Sequence, residues 1–458
     1  MQDLAKLIDK YNVAAPRYTS YPTVPFWEAD QWNERGWTKA VQKMYAQDPE
    51  RGVGIYVHLP FCESLCTYCG CNTRITKNHA VEDPYVESVL KEWAMYRELL
   101  GSDALQVKDL HLGGGTPTFF QHENLERLIT GLLGGQPPAP GSTFSFEAHP
   151  ANTTREHLQS LYDLGFRRLS LGIQDFDPKV QFMINRKQSE ADVLRVMDQA
   201  RAIGYESINF DLIYGLPLQT PETVEKTIQS ALAMRPDRIS FYSYAHVPWM
   251  KPAQRRFTEA DLPVGAAKLA LYRLGKDLIQ AADYRDVGMD HFALQSDSLY
   301  RASEDHSLHR NFMGYTDKHV PLLIGLGVSS ISDAWYAFAQ NVKTVEEYHR
   351  LIGENKLPLV KGHLLTGEDL GLRRQILDLM CKGETLLALD EPLSAQIMER
   401  LEPLVADELI EIRHWPAERA HLVSVTPIGK SFLRNICMAF DQRLVQSKGD
   451  QPLFSQAV

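Results

Sequence analysis

The sequence predicts an α/β protein built on a parallel sheet. Between residues 53 and 245, short runs rich in β-branched and aromatic residues alternate with longer segments of helical period, which is typical of repeated βα units. The runs define six strand candidates, at residues 54–58, 108–112, 143–147, 168–174, 207–213 and 238–244. Such units form either an open doubly wound sheet or a barrel, and the pattern alone leaves both possible.

Helix-start signals between the strand candidates support this alternation. They are Asp83-Pro84, Thr153 with Glu156, Ser189 with Asp192, and Thr220-Pro221-Glu222. A loop rich in Gly and Pro, residues 134–141, precedes the third strand.

The 458 residues exceed the usual limit of a single core, so we expect three parts. They are an amino-terminal extension or lid over residues 1–50, a catalytic domain over residues 51–370, and a small carboxyl-terminal α/β domain over residues 371–458. The last part has helical periods, two β-rich runs at 409–412 and 423–427, and a final helix around 429–445. It therefore resembles a mostly helical, winged-helix-like unit.

Composition limits the possible partners and compartment. The net charge is -10, and no block of Lys or Arg offsets it, so nucleic-acid binding is disfavoured. The first residues carry charges where a secretory signal needs an apolar stretch, and no run approaches 18 apolar residues. We expect a cytoplasmic protein without a membrane segment.

Polar or glycine-rich residues lie at or near the carboxyl end of every strand candidate. These ends are His58, residues 113–116, Glu147, Gln174, Asp211 and residues 244–246. Because parallel α/β folds bind ligands at the carboxyl ends of their strands, we expect the functional site there.

Four of the six cysteines lie in one decapeptide after the first strand, with the spacing C-x3-C-x2-C-x-C at residues 62, 66, 69 and 71. Three thiolates on one tight loop can hold three irons of a 4Fe-4S cube and leave the fourth iron open for another ligand. Structural zinc usually takes two separated pairs of ligands, which this decapeptide does not provide. Cys71 is left unassigned.

The C-x3-C-x2-C spacing is similar to the signature of radical S-adenosyl-L-methionine (SAM) enzymes. Across nearly the whole chain, the ordered motifs resemble the oxygen-independent coproporphyrinogen III oxidases (coproporphyrinogen dehydrogenases). These motifs are PRYTSYP at residues 16–22, YVHLPFC at 56–62, HLGGGTPT at 111–118, LGIQDF at 171–176, DLIYGLP at 211–217, GMDHFA at 288–293 and HRNFMGYT at 309–316.

The resemblance implies a partial (β/α)6 radical SAM barrel, one 4Fe-4S cluster and two SAM molecules. It implies that Cys62, Cys66 and Cys69 ligate the cluster. It also implies that Tyr56, Gly114 and Glu147 contact the SAM that caps the cluster. The second SAM would lie against Tyr68, Gly115, Thr116, Gln174, Arg186, Asp211 and Ala245, with Ile331 lining the nucleotide pocket. One departure is His149, where an acidic residue is expected, so a role for that side chain is in doubt.

The activity implied is removal of a hydrogen atom from the β carbon of two propionates of coproporphyrinogen III, followed by loss of carbon dioxide, giving protoporphyrinogen IX for haem biosynthesis. Candidates for substrate contact are Arg17, Tyr18, Cys71, Asp290, His291, His309 and Arg310. Arginines could pair with propionate charge, although loop arginines often only tie chain segments together. We expect a monomer that takes its electron from a donor such as flavodoxin or ferredoxin.

Two other functions compete with this one. Haem chaperones share the cysteine loop and the barrel, but they typically have an aromatic residue at the position of Cys71 and lack the RYTSYP leader at residues 17–22. A radical SAM enzyme that modifies RNA would carry a basic appended domain, and this chain is acidic throughout.

Overall fold

The computed structural model describes residues 4–28, 32–101, 105–389, 392–447 and 454. Its strands are β1 Val53–Leu59, β2 Phe61–Cys62, β3 Arg74–Ile75, β4 Val107–Gly114, β5 Thr143–Ala148, β6 Phe166–Gln174, β7 Ser207–Tyr214, β8 Arg238–Ser243, β9 Tyr284–Gly288, β10 His291–Leu294, β11 His309–Asn311, β12 Gly314–Thr316, β13 Leu323–Leu326, β14 Ile331–Asp333, β15 Ala337–Asn341, β16 Leu359–Leu364, β17 Glu384–Ala388, β18 Ile410–Trp415 and β19 Ala420–Val425.

The α-helices alternate with these strands through the first half of the chain and cluster at its two ends. They are α1 Leu4–Tyr11, α2 Glu34–Gln47, α3 Glu82–Leu100, α4 His122–Leu132, α5 Arg155–Asp163, α6 Pro178–Met183, α7 Glu190–Ile203, α8 Pro221–Met234, α9 Gly265–Ala281, α10 Ser298–Glu304, α11 Val345–Gly353, α12 Gly367–Lys382, α13 Ser394–Ala406, α14 Leu433–Met438 and α15 Gln442–Gln446.

A partial barrel of six parallel strands forms the centre of the molecule. In the main sheet the order β1-β4-β5-β6-β7-β8 follows the chain, and each neighbouring pair is parallel. These strands match the six predicted ones within about two residues at each end. The α/β class and the barrel are therefore confirmed.

The sheet extends beyond the six strands on both sides, which the sequence analysis missed. On one side β13 pairs in parallel with β1 and is followed by β14, β15 and β16. On the other side β10 pairs antiparallel with β8, and β9 pairs antiparallel with β10. The register Gly54↔Leu323 joins residues that are distant in the chain. Patterns of local periodicity carry no information on such pairing.

Of the four predicted helix starts, two are confirmed and two are shifted. Helix α3 begins at Glu82, before the predicted Asp83-Pro84, and its N-cap is Val81. Ser189 and Thr220 cap α7 and α8, with side chains that accept from the backbone N–H three residues on. The cap of α5 is Thr154, and not Thr153. The Thr153 hydroxyl instead donates to the His149 carbonyl at 2.8 Å, so it is used in the preceding turn.

The carboxyl-terminal part contains the helices α12 and α13 and the antiparallel sheet β17-β19-β18. The single helix predicted around 429–445 is wrong. A 3-10 turn at Gly429–Phe432 leads into α14, and α15 starts separately. Asp441 interrupts the helix because its side chain accepts from the Leu444 amide at 2.9 Å and caps α15.

The amino-terminal segment packs on this carboxyl-terminal part. Leu7, Ile8 and Tyr11 share one hydrophobic core with residues of α12, α13 and α14. The Tyr11 hydroxyl donates to Asp407 at 2.5 Å. The division into three domains stays a prediction, because the first and last parts have a common core.

Within the described ranges, no helix combines the length and the apolar composition that crossing a bilayer requires.

Candidate functional site

The cysteine loop leaves the carboxyl end of β1 and lies on the wall of a cavity of about 550 Å³. Cys62 ends β2, and Cys66 and Cys69 follow in the loop. Two hydrogen bonds fix the loop on the end of α6, from the Thr67 hydroxyl to the Met183 carbonyl at 2.9 Å and from the Thr67 amide to the Ile184 carbonyl at 2.9 Å. The loop geometry therefore depends on α6, more than 100 residues later in the chain.

All four cysteines of the loop line this cavity as free thiols. Burial raises the pKa of Cys62 to about 11. A hydrogen bond from the Cys71 thiol lowers the pKa of Cys69 to about 7, and the Cys71 amide donates to the Cys69 sulfur at 3.4 Å. The free thiols therefore differ in how readily they ionise.

The donor set fits an iron-sulfur cluster. Among the residues that the structure describes, no three His, Cys, Asp or Glu side chains converge closely enough to hold a single metal ion. The cysteine sulfurs instead stand around a cavity large enough for a polynuclear group. Soft thiolate ligands with one position left open are the set that a substrate-binding 4Fe-4S cube requires.

The strand ends supply the opposite wall. Most of the residues predicted to contact SAM line the cavity, namely Tyr68, Gly114, Gly115, Thr116, Glu147, Gln174, Arg186 and Asp211. They come from the ends of β4 to β7, the cysteine loop and the segment after α6. The sequence expectation that the site lies at the carboxyl ends of the strands agrees with this arrangement.

Glu147 is held by its neighbours on β4. Its carboxylate accepts from the Gly114 amide at 3.3 Å and from His111 Nε2 at 3.4 Å. Burial acts to raise the pKa of Glu147, but the hydrogen bond and charge of His111 and the Gly114 amide outweigh it and lower the pKa. Glu147 is therefore an ionised carboxylate, which suits a cationic amino group.

Asp211 is a second carboxylate on the wall, held by Ser170 and Asn209. The Ser170 hydroxyl donates to it at 2.8 Å and Asn209 Nδ2 donates at 2.9 Å. Burial raises the pKa of Asp211 to about 6. Its charge state therefore changes close to neutral pH.

Arg186 is the buried cation of the site. Its Nη2 donates to the Gly172 carbonyl and its Nε to Gln188 Oε1 at 3.1 Å, while Nη1 lies 3.9 Å from the Cys66 sulfur. Burial, followed by the charge of Arg186, lowers the pKa of His149 to about 3. His149 therefore lines the cavity as a neutral ring, and its Nδ1 accepts from the Ala151 amide at 3.2 Å.

Three residues predicted to contact SAM do not line this cavity. Tyr56 stacks on His111 at 6.0 Å between ring centroids. The Ala245 carbonyl accepts from Gln254 Nε2 at 3.2 Å, and the same amide donates to the Tyr68 carbonyl at 3.1 Å. Ile331 begins β14. The SAM contacts of all three stay predictions.

The predicted substrate contacts are dispersed. Cys71 lines the main cavity, His291 lines a smaller cavity of about 150 Å³ inside the barrel, and Arg17 and Asp290 line a third one between the barrel and the carboxyl-terminal part. Arg17 Nη1 lies 3.3 Å from the Asp290 carboxylate. The interior cavity shares Glu147, Asp211 and Tyr242 with the main one, so the two adjoin.

The other three candidates line none of these cavities. Tyr18 is buried and its hydroxyl donates to Asp441 at 3.1 Å. His309 stacks on His319 with ring centroids 3.8 Å apart. Arg310 is buried against the Tyr315 ring, and its Nη2 donates to the Arg17 carbonyl at 3.4 Å. In this conformation they join chain segments, and their contact with substrate stays a prediction.

Sequence reasoning missed two residues at the site. Tyr242 lines both adjoining cavities and its hydroxyl lies 3.2 Å from His291 Nε2. The period of two along β8 could have found it, because Arg238 and Ser240 face the same interior. Lys251, whose Nζ donates to the Cys71 carbonyl at 3.1 Å, comes from a loop with no signal in the sequence.

The fold and the thiol loop define the class of protein. Residues 56–231 match the family model of the radical SAM superfamily. This membership implies a 4Fe-4S cluster and SAM as cofactors.

Comparison over the whole chain identifies the family within this class. A relative from Salmonella typhimurium, an oxygen-independent coproporphyrinogen III oxidase, is 38% identical over 464 residues, covering 100% of this chain and 98% of the relative. A relative of the same name from Synechocystis is 36% identical over 99% of this chain and 98% of its own length. The solved coproporphyrinogen III oxidase from Escherichia coli superposes with a TM-score of 0.87 at 36% identity, covering 96% of this chain and 98% of that one. The chain belongs to the oxygen-independent coproporphyrinogen III oxidases.

Proposed function

We propose that this protein converts two propionate side chains of coproporphyrinogen III to vinyl groups without oxygen, giving protoporphyrinogen IX in haem biosynthesis. The observation that carries the proposal is sequence identity of 34–38% to oxidases of this name over at least 94% of the chain. The arrangement of the three thiols and the strand-end residues around one cavity agrees with it.

In each conversion a propionate loses one hydrogen atom from its β carbon to the 5'-deoxyadenosyl radical, then releases carbon dioxide and passes one electron to a separate one-electron acceptor. When bound, the cluster and SAM supply the 5'-deoxyadenosyl radical that takes the hydrogen atom. Cys62, Cys66 and Cys69 would hold the cluster, and the protein would position the propionate and exclude water from the cavity.

The carboxylates and Arg186 would orient SAM. Glu147, ionised and fixed by Gly114 and His111, can accept from the amino group of the SAM that caps the cluster. Arg186 and Asp211 line the same cavity and can bind a carboxylate and ribose hydroxyls. The match of these positions to the family's motifs supports the proposal of two SAM molecules.

Substrate entry would involve the amino-terminal segment. Arg17 Nη2 donates to the Ser243 carbonyl at 3.0 Å, so this segment lies against the end of β8. An arginine there can pair with a propionate. We also propose a monomer that receives its electron from a flavodoxin or ferredoxin.

The test is an anaerobic assay of the reconstituted protein with coproporphyrinogen III, SAM and dithionite. We expect both protoporphyrinogen IX and 5'-deoxyadenosine, and equilibrium dialysis should give two SAM per chain. Tight haem binding without turnover of the porphyrinogen would instead support a haem chaperone.

A further inference from the structure

Large apolar side chains are exposed beside the cysteine loop. Leu65 in the loop is 41% exposed, Phe182 on α6 is 71% exposed, and Trp249 and Met250 after β8 are 55% and 65% exposed. Single exposed apolar residues are common on protein surfaces, but several around one functional loop indicate an interaction site.

Direct contacts join the three segments that carry these side chains. Asn185 Nδ2, just after α6, donates to the Leu65 carbonyl at 2.8 Å. The Arg256 guanidinium lies 5.3 Å from the centre of the Phe182 ring. Lys251 Nζ donates to the Cys71 carbonyl at 3.1 Å. The cysteine loop, α6 and residues 249–256 therefore form one continuous face.

This face is basic although the whole chain carries a net charge of -10. Basic residues surround the exposed apolar ones on two of the segments, namely Lys179, Lys187, Lys251, Arg255 and Arg256. Residues 178–187 and 245–257 contain no acidic residue, and Glu63 is the one carboxylate in the cysteine loop. We call these basic residues, with Leu65, Phe182, Trp249 and Met250, the loop face.

We propose that the loop face docks a small acidic protein that carries one electron at low potential, such as a flavodoxin. The apolar side chains would form the centre of the contact, and the basic residues would attract the acidic carrier and orient it. Segments 63–65 and 70–71 of the cysteine loop are exposed within this face, so a docked carrier would lie next to the cluster ligands.

This inference rests on the proposed function, which needs one electron for each SAM that is cleaved. In the transfer step the reduced carrier loses one electron and the cluster gains it, with no bond made or broken. The carrier is the reductant, and an acidic surface on it would complement the loop face while the rest of this acidic chain would repel it.

The test compares two double charge reversals with the same change in net charge. Lys179→Glu with Arg256→Glu alters the loop face, and Lys39→Glu with Arg374→Glu alters exposed positions on α2 and α12. Binding of oxidised flavodoxin is measured by titration calorimetry at low salt, and turnover is measured with either reduced flavodoxin or dithionite. Phe182→Ser serves as a third variant without a charge change.

We expect the loop-face reversal to weaken flavodoxin binding by about tenfold or more relative to the control, because two rim charges change sign. Turnover with flavodoxin should fall in parallel, and turnover with dithionite should match the wild type. Phe182→Ser should also weaken binding.

Equal flavodoxin binding by the two double variants would overturn the docking site. A wild-type dimer that the loop-face reversal dissociates would also overturn it, since the face would then be a contact between two copies. Failure of the wild type to turn over with dithionite would instead contradict the proposed function, and the binding titration would still decide the docking site.

Discussion

The Arg186 guanidinium lies 3.9 Å from the Cys66 sulfur, across 120 residues of chain. The same guanidinium donates to the Gly172 carbonyl and to Gln188, so its place is set by the end of β6. A cation fixed at this distance attracts negative charge on the cysteine loop. The end of β6 therefore contributes to the environment of the cysteine loop.

Arg186→Lys should weaken SAM binding by about tenfold. The single ammonium nitrogen of a lysine cannot span Gly172, Gln188 and a ligand carboxylate as the guanidinium does. The variant therefore loses about 1.5 kcal/mol or more of charge-assisted hydrogen bonding. Equilibrium dialysis of SAM with cluster-loaded protein measures this loss. Iron content equal to that of the wild type is the control, and unchanged SAM affinity would contradict the assignment.

Cys66→Ala should abolish cluster binding and turnover together, because two protein thiolates cannot hold the cube as three do. Cys437→Ala is the matched control, since Cys437 is buried in the carboxyl-terminal core. This control should keep iron, sulfide and turnover and lose about 1 kcal/mol of stability. Turnover retained by Cys66→Ala would show that the loop has another role.

Gly115→Ala should disturb the site, because a Cβ at this position would lie 2.6 Å from the Pro60 carbonyl oxygen and 2.8 Å from that of Phe61. These are backbone atoms of the segment that leads into Cys62, so the loop would have to shift. We expect loss of SAM binding with the fold intact by circular dichroism. Gly70→Ala, where no atom lies within 4 Å of the added Cβ, should behave like the wild type.

SAM binding should weaken as the pH falls through about 6, the value to which burial raises the pKa of Asp211. The ionised carboxylate accepts charge-assisted hydrogen bonds from a ligand. Protonation removes the charge and turns one of the two oxygens into a donor. Asp211→Asn should bind SAM weakly at all pH values and remove the pH dependence. A wild-type SAM affinity that stays constant between pH 5 and 7.5 would contradict this role.

Glu92 should make the protein less stable as the pH rises from 5 to 8. Burial raises the pKa of Glu92 to about 7, although its carboxylate accepts from the Gly327 amide at 2.9 Å, from Asn341 at 2.7 Å and from the Tyr348 hydroxyl at 2.6 Å. The folded state thus binds a proton that the unfolded state has released. The stabilisation that the protonated Glu92 contributes is fully present below about pH 4.5, and it is lost as the pH rises through about 7.

Glu92→Gln cannot ionise and should avoid this loss. The free energy of unfolding is measured by urea titration at several pH values. Between pH 5 and 8, the difference in this free energy between the variant and the wild type should change in favour of the variant by up to about 3 kcal/mol. Glu98→Gln changes an exposed position on the same helix, α3, and serves as the control. Its free energy of unfolding should depend on pH in the same way as that of the wild type. Parallel pH profiles for Glu92→Gln and the wild type would refute the raised pKa.

Much of the catalytic half could be predicted because its signals are local. Each central strand is a short run that carries a candidate site residue in or just after its carboxyl-terminal half, as Glu147 in β5 and Asp211 in β7. The capping residues Ser189 and Thr220 marked helix starts for the same reason. In contrast, the helix predicted over 429–445 failed because the Asp441 side chain provides a local cap that periodicity does not detect.

The order of residues along the chain determined the six βα units, the thiol spacing and the family motifs, because each depends on neighbours within a few residues. Only the tertiary structure decided that β13 pairs with β1, that Arg186 lies beside Cys66 and that Lys251 lies beside the cysteine loop. These contacts join residues more than 100 positions apart, and they form because burial and hydrogen bonding in the whole fold favour them.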